Sequence, residues 1–375
     1  MSVTATHTAP VEPEPTDPGA GRMTRLLEAV RNVAVHAGVP VLLALVIGGI
    51  VLAATGANPF AVYGRLATEA FGSPSRINAT LAATTPILFT GIAAAFAYRA
   101  GAFTVGVEGS FVLGGLTASV IGSQMGGVPG PIAIVVTLAA AVLAGGLVAL
   151  VPALLRSLWN VDEVVTTLMF NFIVAGLAGW LVQSFFLAPG QANSSTEYVA
   201  ESAELPPLAP PGQTNVGLIV ALLVLVGYFL WMRYTTIGYE FRAVGSAPRF
   251  STAQGLRVRT VIATGLIGAG LIGGLGGGAH ALGVVHRYSE GFSASFGFTG
   301  IAIALLARFN PIGILVGAIL FGALNAAGAT VQLFINLPVQ LIDILEGTVM
   351  IFAVATFVLP RFLTRRRRLQ RGGAA

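Results

Sequence analysis

The sequence predicts an all-helical protein that crosses a membrane about ten times, with some crossings broken or half-length. Three observations carry that expectation. Of 375 residues, 55% are hydrophobic and 9% charged, whereas a soluble domain carries about 25% charged residues. The apolar residues come in runs close to the roughly 20 residues that a helical span needs. The arginines fall between those runs and sort by side when the runs are threaded in turn.

Residues 1–35 form a lead rich in Pro, Thr, Glu and Ala that reads as disordered, ending in the basic positions Arg22, Arg25 and Arg31. A transmembrane domain is expected over 36–360. Its first run, Val39–Ala54, reads as an uncleaved helix, with a signal peptide cleaved near Ala53-Ala54 as the alternative. Further runs fall near 78–98, 102–123, 131–155, 164–187, 215–232, 260–283, 296–307, 311–334 and 338–359. The 296–307 run is short for a span and is punctuated by Asn310-Pro311, so a half-length or broken helix is expected there. The 48 glycines, roughly twice the usual share, suit close helix packing and interrupted spans.

Threading ten spans from a cytoplasmic N-terminus places seventeen of the twenty arginines inside. Only Arg65, Arg76 and Arg287 fall outside. Trp231 and Tyr234 beside Arg233 read as an interfacial anchor, as does Trp159 beside Arg156. The outer loop, 188–214, carries Glu197, Glu201 and Glu204. Residues 361–375 read as a basic cytoplasmic tail that meets lipid headgroups rather than nucleic acid.

The polar stretch from Arg233 to Arg259 stands between two apolar runs. Its arginines place the loop 234–259 in the cytoplasm. Ser246 is positioned to cap a short helix that opens at Pro248 and closes at Gly255. A small helix on the inner face of a multi-span protein is a surface for a partner.

The residue inventory excludes several chemistries. There is no cysteine, so thiolate zinc sites, disulfides and cysteine nucleophiles are ruled out. All 20 basic residues other than histidine are arginine, and a phosphate-binding P-loop needs its lysine. If ATP drives this chain, another polypeptide binds it. Four scattered histidines make no metal cluster. Gly268, Gly270 and Gly273 spell GxGxxG, but inside an apolar span the better account is helix packing. His280 has no serine in the setting an intramembrane hydrolase requires, which leaves that class remote. Acids within spans are functional candidates by default, and these are Glu108, Asp343 and Glu346. Asp162 and Glu163 open a helix, where acids are favourable without any further role. Asn171 and Gln183 are candidates for interhelical hydrogen bonds.

Four ordered stretches then carry a resemblance. Arg99–Ser110 (RAGAFTVGVEGS) resembles an AGxFNIGxEGQ element. Asn160–Asn171 (NVDEVVTTLMFN) is similar to a GxNEVxxTxMLN element. Phe296–Gly313 resembles GxGFTxIAVALLGxxNPxG, and Arg242–Leu256 resembles a RAVGxNPxAAxxAGI segment. Together they resemble the permease subunits of bacterial ABC importers for branched-chain amino acids, simple sugars and nucleosides, the nucleoside branch most closely. The chain departs at Thr104, where the family usually has Asn, at Ser110, where it has Gln, at Arg308, and at Phe250–Gln254.

The resemblance implies a type II-like importer permease in a bacterial cell membrane, with both termini cytoplasmic. It would move a nucleoside, or next a simple sugar, inward. It implies no enzyme activity and no cofactor in this chain, since ATP is bound by cytoplasmic ATPase subunits. The other implied partners are a second permease subunit and an extracellular substrate-binding lipoprotein. Glu108, Gly109, Asn171, Phe298 and Thr299 are expected along the substrate path. Arg242, Gly245, Pro248, Arg249, Gln254 and Gly255 are expected to meet the ATPase, and Arg65, Arg76 and Arg287 to dock the binding protein. A proton-coupled secondary transporter using Glu108 or Asp343 remains the alternative.

Overall fold

The computed structural model describes residues 58–335 except 191, 192 and 211, together with a few residues in 46–53 and 347–351. The expectations for the N-terminal lead, the last span with Asp343 and Glu346, and the basic tail lie outside the described residues.

Eleven α-helices are described. In chain order they are α1 (Pro59–Phe71), α2 (Pro74–Arg99), α3 (Val107–Ser123), α4 (Gly130–Trp159), α5 (Glu163–Leu181) and α6 (Val216–Tyr234). They continue with α7 (Thr236–Ser246), α8 (Pro248–Ala253), α9 (Val258–His280), α10 (Phe296–Leu306) and α11 (Pro311–Ile335). Wide turns extend α5 over Val182–Phe186 and α9 over Ala281–Val285. Six of these helical stretches are long and apolar enough to cross a membrane, and α3 and α10 are shorter apolar helices. The protein is a multi-pass membrane protein.

The helix starts follow local chemistry. Asn58, Ser73, Asp162, Asn215 and Thr235 each accept a first-turn amide with the side chain, satisfying donors that a helix leaves open. Ser246 does not act this way. It ends α7 and donates to the Ala243 carbonyl at 3.0 Å, while Ala247 precedes α8 without a side-chain cap. The loop 234–259 therefore holds two helices rather than one, with Gly255 at φ +82° closing the second. The run expected at 102–123 begins as a helix only at Val107. The helix α1 was not expected. It is too short to span, and it buries Val62, Leu66 and Ala70 beside Leu52, Ala323 and Ala327.

Glycine builds the centre. α9 touches α2, α3 and α4, and a different set of glycines faces each. Gly268 and Gly276 lie against Phe96 and Phe89 of α2, Gly273 and Gly277 against α3, and Gly270 and Gly274 against Gly145 of α4. A Cβ on Gly274 would lie 2.9 Å from the Cα of Gly145, so these backbones approach as only small residues allow. The GxGxxG string is helix packing, as its apolar setting indicates.

The helix ends sort into two groups. At one end Arg99 donates to the Phe309 carbonyl, as does the Tyr228 hydroxyl at 3.1 Å, and Gly101 meets Gly245. At the other, Asn78 bonds Thr214, Ala200 bonds Gly122, and Ser195 pairs with Ser289. Trp231 is half-buried, its ring stacking on Phe96 with centroids 4.7 Å apart and packing against the core. Trp159 and Tyr234 are exposed.

Candidate functional site

The site begins where α2 stops. After Arg99 the chain runs without helix through 102–106 and re-enters helix at Val107. The turn is held from several sides. The Tyr98 hydroxyl donates to the Thr104 carbonyl at 3.0 Å, and the Gly106 amide donates to Thr104 Oγ1 at 3.0 Å. From α5, Thr167 Oγ1 accepts the Val105 amide at 3.2 Å. Asn171, one turn on, accepts the Gly109 amide and donates to the Val105 carbonyl, both at 2.9 Å. Glu163, Thr167, Asn171, Val174 and Ala178 are the buried residues of α5, so one face of an otherwise exposed helix carries the clamp.

Glu108 lies in the first turn of α3. One carboxylate oxygen accepts the Ser293 hydroxyl, and the other accepts the Gly297 amide at 2.7 Å. Gly297 is in the first turn of α10, so two helix N-termini meet at one carboxylate. Their partial positive charge favours an anion there. Only glycine fits at 297, since a Cβ would lie 2.6 Å from the Glu108 Cα. From this junction α3 runs toward the Gly122 end and α10 toward the Phe309 end. The junction of two discontinuous helices is an arrangement that places polar groups inside a membrane domain.

Of the residues expected along a path, Glu108, Gly109 and Asn171 come together here. Phe298 and Thr299 lie on the same first turn of α10 but differ in setting. Phe298 is 38% exposed, whereas Thr299 is buried and its hydroxyl turns back to the Ser295 carbonyl. Sequence reasoning missed Thr167, Ser293 and Gly297. The four-residue spacing of Glu163, Thr167 and Asn171 was a usable signal for the first. Ser110 is fully buried with no hydrogen-bond partner for its hydroxyl among the described residues, and it borders a small cleft lined by Thr104, Thr167, Val148 and Pro152. His280 sits among Phe111, Phe292 and Phe296, and its Nδ1 has no partner among the described residues. Tyr288, in the segment leading to α10, has its phenol pushed up to about 12 by burial and then by Glu108 and Glu290.

The polar helices lie at the Phe309 end. Gly245 of α7 rests on the Arg99 carbonyl and on Gly101, at the start of the segment leading to Glu108. Pro248, Arg249, Gln254 and Gly255 are exposed, Arg242 is half-buried, and Phe250 is 64% exposed. At the opposite end Arg76 pairs with Glu69 at 2.9 Å, and Arg287 lies 4.9 Å from the Tyr198 ring centroid. Arg65 is exposed. Asp162 caps α5, Glu163 pairs with Arg156 at 2.9 Å, and Gln183 donates to Ser194 in the following loop.

Broken helices meeting inside a glycine-packed bundle, with polar helices seated at one end, define a membrane transport subunit. The chain belongs to the family described as branched-chain amino acid transport system / permease component, whose profile matches residues 76–354. Permeases of this family work with ATPase and substrate-binding partners, and ATP hydrolysis belongs to a separate subunit. The chain is 29% identical to the guanosine ABC transporter permease protein NupP of Bacillus subtilis, over 86% of this chain and 93% of that protein. It is 26% identical to the nucleoside ABC transporter permease protein NupB of Lactococcus lactis, over 88% and 93%. It is 28% identical to the glucose ABC transporter permease protein TsgB13 of Haloferax volcanii, over 86% and 87%. No solved structure matches the chain.

Proposed function

We propose that this permease imports a nucleoside, with a simple sugar as the next solute class, driven by ATP hydrolysed in a partner. The observation that carries the mechanism is the seat of Gly245 on Arg99 and Gly101. It connects the exposed α7–α8 pair to Glu108 through only a few residues of non-helical chain. In this reading α7 and α8 face the cytoplasm, and Arg242, Gly245, Pro248, Arg249, Gln254 and Gly255 receive the ATPase. Phe250 supplies an apolar knob at the centre of that surface. Both chain termini would be cytoplasmic, and the 1–35 lead and 361–375 tail would lie on that side.

The partners in this reading are a cytoplasmic ATPase pair, a second homologous permease and an extracellular binding lipoprotein. Glu108, Gly109, Asn171, Phe298 and Thr299 border the solute path. Arg65 and Arg287 dock the binding protein, and Arg76, held by Glu69, shapes the same face. The nucleoside reading is supported by the four motif stretches and by two of the three relatives. Vesicles containing the whole importer should accumulate guanosine on addition of ATP and leave glucose outside. Accumulation of glucose alone would replace the solute class.

A further inference from the structure

The helices around the Glu108 junction fall into two packed groups. α3 and α9 pack on α4, while α10 and α11 pack on α2, and the two groups meet along an equally extensive α2–α9 boundary. α10 is fixed to α2 over its length. Thr90 donates to the Phe296 carbonyl at 2.8 Å, and a Cβ on Gly300 would lie 2.6 Å from the Gly91 amide. Its contact with α3 is slighter and falls at Ser293, Phe296 and Gly297. Across that seam Glu108 supplies the hydrogen bonds.

We propose that Glu108 is a releasable latch. Its carboxylate holds the first turn of α10 against α3 in the present state, and α10 leaves α3 together with α2 when the permease changes state. This deepens the transport reading and rests on it. Three features make the latch two-state rather than a fixed staple. The linker is tied to residues 194–199 through His286–Glu290, and between that anchor and α10 it holds Gly291, Ala294 and Ser295 at positive φ without helix, which leaves a short hinge. The α2–α9 boundary is lined by Gly268 and Gly276, and small residues let helices slide. A carboxylate inside a membrane domain needs a partner, so Glu108 either keeps Ser293 and Gly297 or exchanges them for water. Opening the seam therefore wets it. The seat of Gly245 on Gly101 lets an event at α7 bias the same element, which is the physical requirement for coupling between sites.

The chain has no cysteine, so a single reporter can be placed without further change. Val112 is buried and lies one turn beyond Glu108 on the same helix face. Val112→Cys is reacted with a membrane-impermeant thiol reagent in the full chain, in vesicles without ATP. Glu108→Gln and Ser293→Ala should each speed labelling about tenfold, the scale of losing a charge-assisted hydrogen bond. Thr90→Val, which cuts the α2 side of α10, should leave the rate at that of the reporter alone. Unchanged rates in both latch variants would overturn the proposal, as would equal acceleration by Thr90→Val, which signals general loosening. The whole importer gives a second reading. In vesicles that show ATP-driven uptake, turnover should speed labelling of the Val112→Cys reporter in the unaltered latch, and constant labelling there overturns release. Vesicles without such uptake would count against the energy source, while the resting comparison still decides the latch.

Discussion

Asn171 uses both ends of one amide on a single turn, holding the Val105 carbonyl and the Gly109 amide. Truncation would orphan the buried Gly109 amide, at a cost of about 1–3 kcal/mol, and leave the half-buried Val105 carbonyl without its donor. Asn171→Ala should therefore lower the melting temperature of the detergent-purified protein and weaken uptake. Phe172→Ala, one position on and 68% exposed, should leave the melting temperature where it was. Equal melting of Asn171→Ala and the parent would show that the clamp contributes nothing. Glu108 was legible in the sequence because acids are rare in apolar runs. Ser293 was not, because its partner is 185 positions away and no local pattern announces that distance. Thr104 shows how a departure from the family pattern can be absorbed, since its hydroxyl still closes the turn on Gly106.

At the scale of elements, α9 is the sharpest test of the packing account. Gly274 meets Gly145 backbone to backbone, whereas a Cβ added to Gly227 on α6 would have nothing within 4 Å. Gly274→Leu should abolish recovery of folded protein from the membrane, and Gly227→Leu should express as the parent does. A well-folded Gly274→Leu protein would refute close backbone packing. The long apolar helices were readable from run length alone. The start of α3 was not, because Ala102, Phe103 and Val105 are apolar while the Val105 backbone bonds side chains of α5 instead of a helix. α1 escaped for the opposite reason, since it is short and much of its surface stays exposed. The cap at α8 was misread because Ser246 reaches back to Ala243, a local bond that competes with capping. On the exposed α8 surface, Arg249→Glu should cut ATP-driven uptake strongly while membrane content stays constant. Undiminished uptake would remove this surface from the coupling path.

For the molecule as a whole, the sequence established the class through its missing residues as much as through its motifs. Without lysine there is no P-loop, and a concentrating transporter of this family must borrow its energy. In the proposed reading that energy passes from α7 and α8, where Gly245 packs on Gly101, to Glu108. The most direct measurement compares proteoliposomes holding this chain alone with ones holding it beside its ATPase, second permease and binding protein. The account predicts guanosine accumulation against its gradient only in the complete set and only with ATP. Uphill accumulation by the isolated chain, driven by a proton gradient, would contradict it.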